Sequence, residues 1–243
     1  MPRARDTAIC LRQWDWSETS QVVLLFGRES GIIRGLAKGA RRPRSKFDGG
    51  LEPLTLGEVV FVRKPTRELL TITDWSVDFP AVHLRRSLLG LAAMTFAAEA
   101  IAALFPPLDP APESFELFSE VRTSLGTSPS IGTADAAYAL RVAWRAAAEA
   151  GHAIDLTGIS PGEDPARTLV LRPEDGRIVP APPGETGPWR IRPSTLHVVI
   201  GGGADAAPAE SVARAVGLTA AWIRYRTGAP LQSEGFFTRC LTL

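Results

Sequence analysis

The period of the apolar residues changes at Pro80, and that switch limits the folds open to this chain. Upstream the pattern alternates in short runs bounded by turn residues, the mark of strands. Runs at 7–12, 21–26, 32–38, 58–63 and 69–75 read as five strands; Gly27 ends the second, and Glu29-Ser30-Gly31 supplies a turn before the third. Five short strands in about 75 residues predict a small closed barrel, with the OB-fold as leading candidate.

Downstream, Leu84, Leu88, Leu91, Thr95, Ala98, Ala102 and Phe105 step by threes and fours, as one face of a helix does. Pro106-Pro107 stops that helix, and 115–125 and 134–150 predict two more. The run 88–105 is apolar enough to raise a membrane span, but Glu99 and the many alanines favour a buried bundle helix in which Glu99 meets a buried arginine. Residues 151–209 are rich in Gly and Pro. There, 168–171 and 177–179 flank Glu174-Asp175-Gly176 and predict a hairpin, and His197-Val198-Val199-Ile200 is strand-like. A last amphipathic helix is expected at 210–226. The fold class is therefore α+β: a barrel domain at 1–80, then an α-helical domain at 81–243 with a small β-hairpin subdomain.

The net charge is only +1, yet the charges are unevenly spread. Residues 27–46 hold seven basic groups (Arg28, Arg34, Lys38, Arg41, Arg42, Arg44 and Lys46) and one acid, Glu29, whereas the other 223 residues hold 20 basic and 25 acidic groups. So concentrated a field suits a polyanion better than a point ligand, although a solvated basic loop fits the same charges. Period-two alternation puts Ile33, Gly35 and Ala37 inside the barrel and turns Arg34 and Lys38 outward, continuous with Arg41-Arg42-Pro43-Arg44. Trp14 and Trp16 share a strand face and Phe47 follows the basic loop; Trp16 and Phe47 are candidate stacking platforms for bases, with burial in the core as the alternative.

Catalytic chemistry is not indicated. His83, His152 and His197 have no second histidine or cysteine at ligand spacing, and no nucleophile elbow, P-loop or zinc-protease motif occurs. Gly201-Gly202-Gly203-Ala204-Asp205-Ala206 formally fits a dinucleotide fingerprint but lacks a surrounding βαβ unit, so a loop is expected rather than a nicotinamide site. Cys10 and Cys240, the only cysteines, exclude a disulfide scaffold and a four-cysteine zinc site and suit a reducing compartment. The N-terminus has no apolar signal region, so a cytoplasmic protein is expected.

Several stretches together resemble the RecO family of bacterial recombination mediators: Trp16-Ser17-Glu18-Thr19, Phe26-Gly27-Arg28-Glu29-Ser30-Gly31, the run from Ala37 to Phe47, and Gly50-Leu51-Glu52-Pro53. Tyr225 and Gly228-Ala229-Pro230-Leu231-Gln232-Ser233, before Phe236 and Phe237, resemble that family's closing motif. The resemblance implies an N-terminal OB barrel, a helical domain and, in many members, a four-cysteine zinc knuckle. This chain departs from the last. Thr157-Gly158-Ile159-Ser160-Pro161-Gly162 stands where the first cysteine pair is expected, and Pro180 and Pro183 follow where the second is. Neither Ser nor Pro supplies a thiolate, so the insertion at about 155–195 is expected to hold no metal.

By the same resemblance the protein is a non-enzymatic mediator in recombinational repair, associated with the nucleoid. It would bind single- and double-stranded DNA, anneal strands, act with RecR, engage the C-terminal tail of single-strand-binding protein, and indirectly help RecA onto DNA. Neither a cofactor nor a membrane enters this reading. The DNA-binding candidates are Arg34, Lys38, Arg41, Arg42, Arg44, Lys46, Trp16 and Phe47. Arg141, Trp144 and Arg145, on part of one helix face, are candidates for receiving an acidic, apolar peptide tail. A rival reading is a protein–protein adaptor whose basic loop meets an acidic partner and never DNA.

Overall fold

The computed structural model describes residues 3–47, 50–63, 69–82, 84–157, 167–200 and 208–242. The chain divides into two compact units, 1–86 with 105–127, and 87–104 with 128–243.

In the first unit, β1 (Arg3–Asp15), β2 (Gln21–Gly27), β3 (Gly31–Ala37), β4 (Leu56–Val62) and β5 (Leu70–Phe79) close a barrel in the order β1-β2-β3-β5-β4. All neighbours are antiparallel except β3 and β5. That closed five-stranded order is an OB-fold. Its interior takes alternate residues of each strand, among them Ala8, Cys10, Val23, Leu25, Ile33, Val59, Phe61, Ile72 and Trp75. Burial there pushes the Cys10 thiol up to about 12. Gly35 is required by this packing, because a Cβ at that position would stand 2.4 Å from Ile72 Cδ1.

The segment 105–127, which the sequence assigns to the helical domain, belongs with the barrel instead. Phe105 stacks on Phe26 at 6.1 Å and Phe115 meets the same ring edge-on at 5.5 Å. Leu108 N–H donates to the Ile32 carbonyl at 2.9 Å. Helix α2 (Pro112–Thr127) buries Phe115, Phe118, Val121 and Leu125. It also buries Arg122, whose Nε and Nη2 donate to the carbonyls of Leu54 and Phe79. Those bonds let the guanidinium remain inside, although desolvation lowers its pKa to about 10. Sequence pattern identifies a helix here but not the surface it covers.

In the second unit, α1 (Leu88–Leu104), α3 (Thr133–Glu149), α4 (Pro193–Ile200), α5 (Ala209–Thr227) and α6 (Glu234–Cys240) accompany a three-stranded sheet of order β7-β6-β8, made of Leu169–Leu171 (β6), Ile178–Pro180 (β7) and Arg190–Ile191 (β8). Alanines keep the helices close; Phe96, Ile101, Leu140, Trp222 and Phe237 fill the core. No helix among the described residues is long and apolar enough to cross a membrane.

Three local expectations change here. Glu99 meets no buried arginine: its carboxylate accepts from the N–H groups of Gln232 (2.9 Å) and Ser233 (2.8 Å) and from Ser233 Oγ, anchoring the entry to α6. The His197–Ile200 run is helical, not strand-like; Pro193 opens α4 with its φ already fixed and no N–H to lose, and tertiary burial of Leu196, Val198 and Val199 overrides β-branched preference. The expected hairpin gains a third strand from Arg190-Ile191, with β6 at the centre. His83, most of the knuckle-like stretch (158–166) and the glycine run (201–207) lie outside the described residues.

Candidate nucleic-acid interface

The outer face of β1, β2 and β3 carries two lateral rows. One is Ile9, Phe26 and Ile32, paired across the strands and buried. The next is Arg12, Leu24 and Arg34, paired the same way, with both arginines exposed. Arg12 lies three positions after Ile9, so strict alternation from Ile9 sends Arg12 into the core. A β-bulge between Cys10 and Arg12 absorbs Leu11 and turns Arg12 and Trp14 outward. The Arg12 guanidinium then lies 4.9 Å from the centre of the Trp14 ring, which is 38% exposed. Sequence reasoning missed Arg12 because a bulge leaves no trace in an alternation count.

The basic turn after β3 is pinned at both ends. Ala40 and Phe47 are both part of the barrel core. Ser45 Oγ donates to the Ala40 carbonyl at 2.8 Å, and Trp75 N–H donates to the Lys46 carbonyl at 3.0 Å. Its flank is fastened to the β1–β2 hairpin: Arg41 N–H donates to the Thr19 carbonyl at 3.0 Å and Gly39 N–H to Ser20 Oγ at 3.2 Å. Trp16, 66% exposed, stands on that same hairpin tip. Arg34, Lys38, Arg41, Arg42 and Arg44 are all exposed along β3 and this turn. The 39–41 flank therefore lies against the hairpin that bears Trp16, and Arg34 shares the lateral row of Arg12, whose guanidinium lies over Trp14.

Self-neutralisation is limited. Arg41 Nη1 pairs with Asp15 Oδ2 at 2.9 Å across the two turns, and Arg28 pairs with Glu116 on α2. Arg12, Arg34, Lys38, Arg42, Arg44 and Lys46 make no ion pair among the described residues. The Arg41–Asp15 pair is half exposed on both sides, so it holds the guanidinium weakly against a competing phosphate.

Two of the sequence candidates are placed elsewhere. Phe47 is 5% exposed and packs within the barrel, where its ring faces serve the core and offer no platform to a base. Lys46 lines a polar cavity of about 320 Å3 with Arg3, Arg5, Thr73 and Asp74, on the β1–β4–β5 side of the barrel. Arg3 and Arg5 were not among the sequence candidates, although Arg3-Ala4-Arg5 alternates in the sequence; β1 begins earlier than its apolar run suggests.

The tail-binding candidates of the second unit do not form an open groove around Trp144. That indole is 8% exposed, donates from Nε1 to Thr219 Oγ1 at 2.9 Å and stacks on Trp222 at 6.3 Å. Arg141 lies over Tyr138 at 5.4 Å, and Arg145 is exposed one turn beyond. A tryptophan at i+3 from an arginine reads the same in sequence whether it faces core or solvent.

Among the described residues no group of three or more His, Cys, Asp or Glu side chains is placed to hold a metal ion. Cys10 and Cys240 are both buried free thiols.

Comparison with known proteins bears on the barrel most directly. The family described as Recombination protein O N terminal matches residues 1–78. The chain is 40% identical over 113 residues to DNA repair protein RecO of Salinibacter ruber, covering 46% of this chain and 44% of the relative. It is 35% identical over 125 residues to DNA repair protein RecO of Syntrophobacter fumaroxidans, covering 51% and 49%. The corresponding protein of Rhodopirellula baltica is 36% identical over 110 residues, covering 45% and 41%. The chain thus spans about half the length or less of these relatives. The N-terminal barrel thus matches the RecO family's N-terminal domain, and the chain is similar to RecO proteins over about half its length.

Proposed function

We propose that this chain is a non-enzymatic DNA-binding mediator of recombinational repair, acting in the cytoplasm at the nucleoid. One observation carries the reading: a row of unpaired cations, Arg12 on β1 and Arg34 on β3 with Leu24 of β2 between them, leads toward the pinned turn bearing Lys38, Arg42 and Arg44, with Trp14 and Trp16 exposed on β1 and the β1–β2 hairpin. Each cation that replaces a counterion on a phosphate adds to affinity without regard to sequence. The two indoles supply faces on which unpaired bases stack. A surface that screens two phosphate chains at once also lowers their repulsion, which promotes annealing of complementary strands. The names of the relatives, DNA repair protein RecO, support the same role. In this reading the protein binds single- and double-stranded DNA, acts with RecR, engages the tail of single-strand-binding protein and helps RecA replace it.

The test is binding of labelled oligonucleotides across a salt series. Five phosphate contacts give a log–log slope of about −3.5 to −4.5. A slope near zero, or one that survives removal of Arg34, Arg42 and Arg44, overturns the DNA reading and leaves the adaptor as the better account.

A further inference from the structure

The second unit holds a cavity of about 320 Å3 beside α4, α5, α6 and β8 that the DNA reading does not use. Four buried side-chain polar atoms among the described residues lack a hydrogen-bond partner: Thr55 Oγ1, Trp75 Nε1, Thr195 Oγ1 and Arg214 Nε. Two of the four, Thr195 Oγ1 and Arg214 Nε, belong to residues that line this one cavity. Buried polar groups are normally satisfied, so two bare donors on residues that line one concavity point to a missing acceptor there.

The donors are held in place by the fold. Thr195 is 3% exposed and stands in the first turn of α4, with its N–H bonded to the Arg192 carbonyl at 3.0 Å. Arg214 Nη1 pairs with Glu210 and its Nη2 donates to Ser211 Oγ at 3.3 Å, which fixes the guanidinium plane and leaves Nε over. Arg190 and Arg224 add two exposed guanidiniums to the lining, and Leu218 and Ala221 add apolar wall. The carboxylates at hand are Glu234 and the Glu210 already paired to Arg214, so three guanidiniums face two acids and the net charge is positive.

We propose that this cavity binds a phosphate group whose oxygens accept from Thr195 Oγ1 and Arg214 Nε, flanked by Arg190 and Arg224. A phosphate presents several acceptor oxygens in a tetrahedron, so it can satisfy donors arriving from a helix, a second helix and a strand together. The group would belong to a free phosphate compound or to the phosphorylated end of a nucleic-acid strand.

The test uses the full chain and inorganic phosphate, with melting temperature followed against chloride at matched ionic strength. A saturable rise in melting temperature is expected. Thr195→Val and the double variant Arg190→Gln/Arg224→Gln should each weaken the apparent affinity at least about tenfold, the worth of one hydrogen bond to a charged group. Thr195→Val should melt no lower than the parent without phosphate, since it removes a bare hydroxyl; its lost response is then not misfolding. Tighter binding of a 5′-phosphorylated oligonucleotide than of its 5′-hydroxyl twin, abolished by the same variants, assigns the site to strand ends. Equal binding of the two, with the phosphate shift intact, assigns it to free phosphate compounds. No saturable shift, or one that these variants leave unchanged, overturns the proposal. Replacing Arg34, Arg42 and Arg44 should leave the phosphate response intact, so failure of the DNA reading and failure of this one are distinguishable.

Discussion

Two rows on the same three strands of the barrel have opposite fates. Ile9, Phe26 and Ile32 lie on the outer face and are covered, Phe26 by the rings of Phe105 and Phe115 and Ile32 by the 107–108 backbone. Arg12, Leu24 and Arg34, the adjoining row, keep their cations in water. A barrel this small has its interior filled by one face of each strand, so the other face either recruits a cover or serves a ligand. The chain does both on one surface. Segment 105–127 supplies the cover, and the charge left beyond its edge is the candidate interface.

Breaking the covered row gives the largest effect. Phe26→Ala should cost about 3–5 kcal/mol of stability, read by denaturant unfolding, because it empties a site touched by two aromatic rings. Arg34→Ala on the next row should change stability by less than about 0.5 kcal/mol. Parity between the two would mean that the rows do not differ as described. The triple variant Arg34→Ala/Arg42→Ala/Arg44→Ala should instead reduce the salt slope of DNA binding by about 2 to 3, with an unchanged melting temperature.

Single changes sharpen the contrast. Trp16→Ala should weaken single-strand binding about fivefold or more, in line with ~1 kcal/mol per stacked base, and leave duplex binding and stability nearly unaltered. Arg12→Ala should lower the salt slope by about 0.7 to 0.9, whereas Arg28→Ala, whose guanidinium already pairs with Glu116, should leave it unchanged. The smallest effect lies in the second unit. Burial, and then the charge of Arg226, lower the His152 pKa below its ordinary 6.5. The unfolded chain therefore takes up the proton first, and stability that is full above about pH 6.5 declines as the pH falls below it. Melting temperatures measured between pH 7.5 and 5.5, each about a unit from the ordinary imidazole value, should fall less in His152→Gln than in the parent.

Much of this molecule was legible before any coordinates. The strand runs, the switch of period at Pro80, the outward Arg34 and Lys38 and the basic turn are consequences of local chemistry: side-chain alternation, turn-forming residues and charge density. What misled were positions whose fate depends on residues far away in the chain. Phe47 was a candidate platform and is core, because the basic turn folds back and buries its end beside Ala40. Trp144 was a candidate pocket and is stacked on Trp222, seventy-eight positions on. The 197–200 run has β-branched residues and is helical, because burial decided against preference.

The sequence by itself determined that a β-barrel precedes helices, and that one stretch of twenty residues concentrates positive charge. Both are set by neighbours along the chain, whose spacing is fixed by covalent geometry. Only the tertiary structure decided that Arg12 joins Arg34 across β2, that helix α2 covers the barrel, and that Thr195 and Arg214 line one cavity. Each of those depends on a register, a bulge or a packing choice among segments distant in sequence, where the free energy comes from burial and pairing that no local pattern encodes.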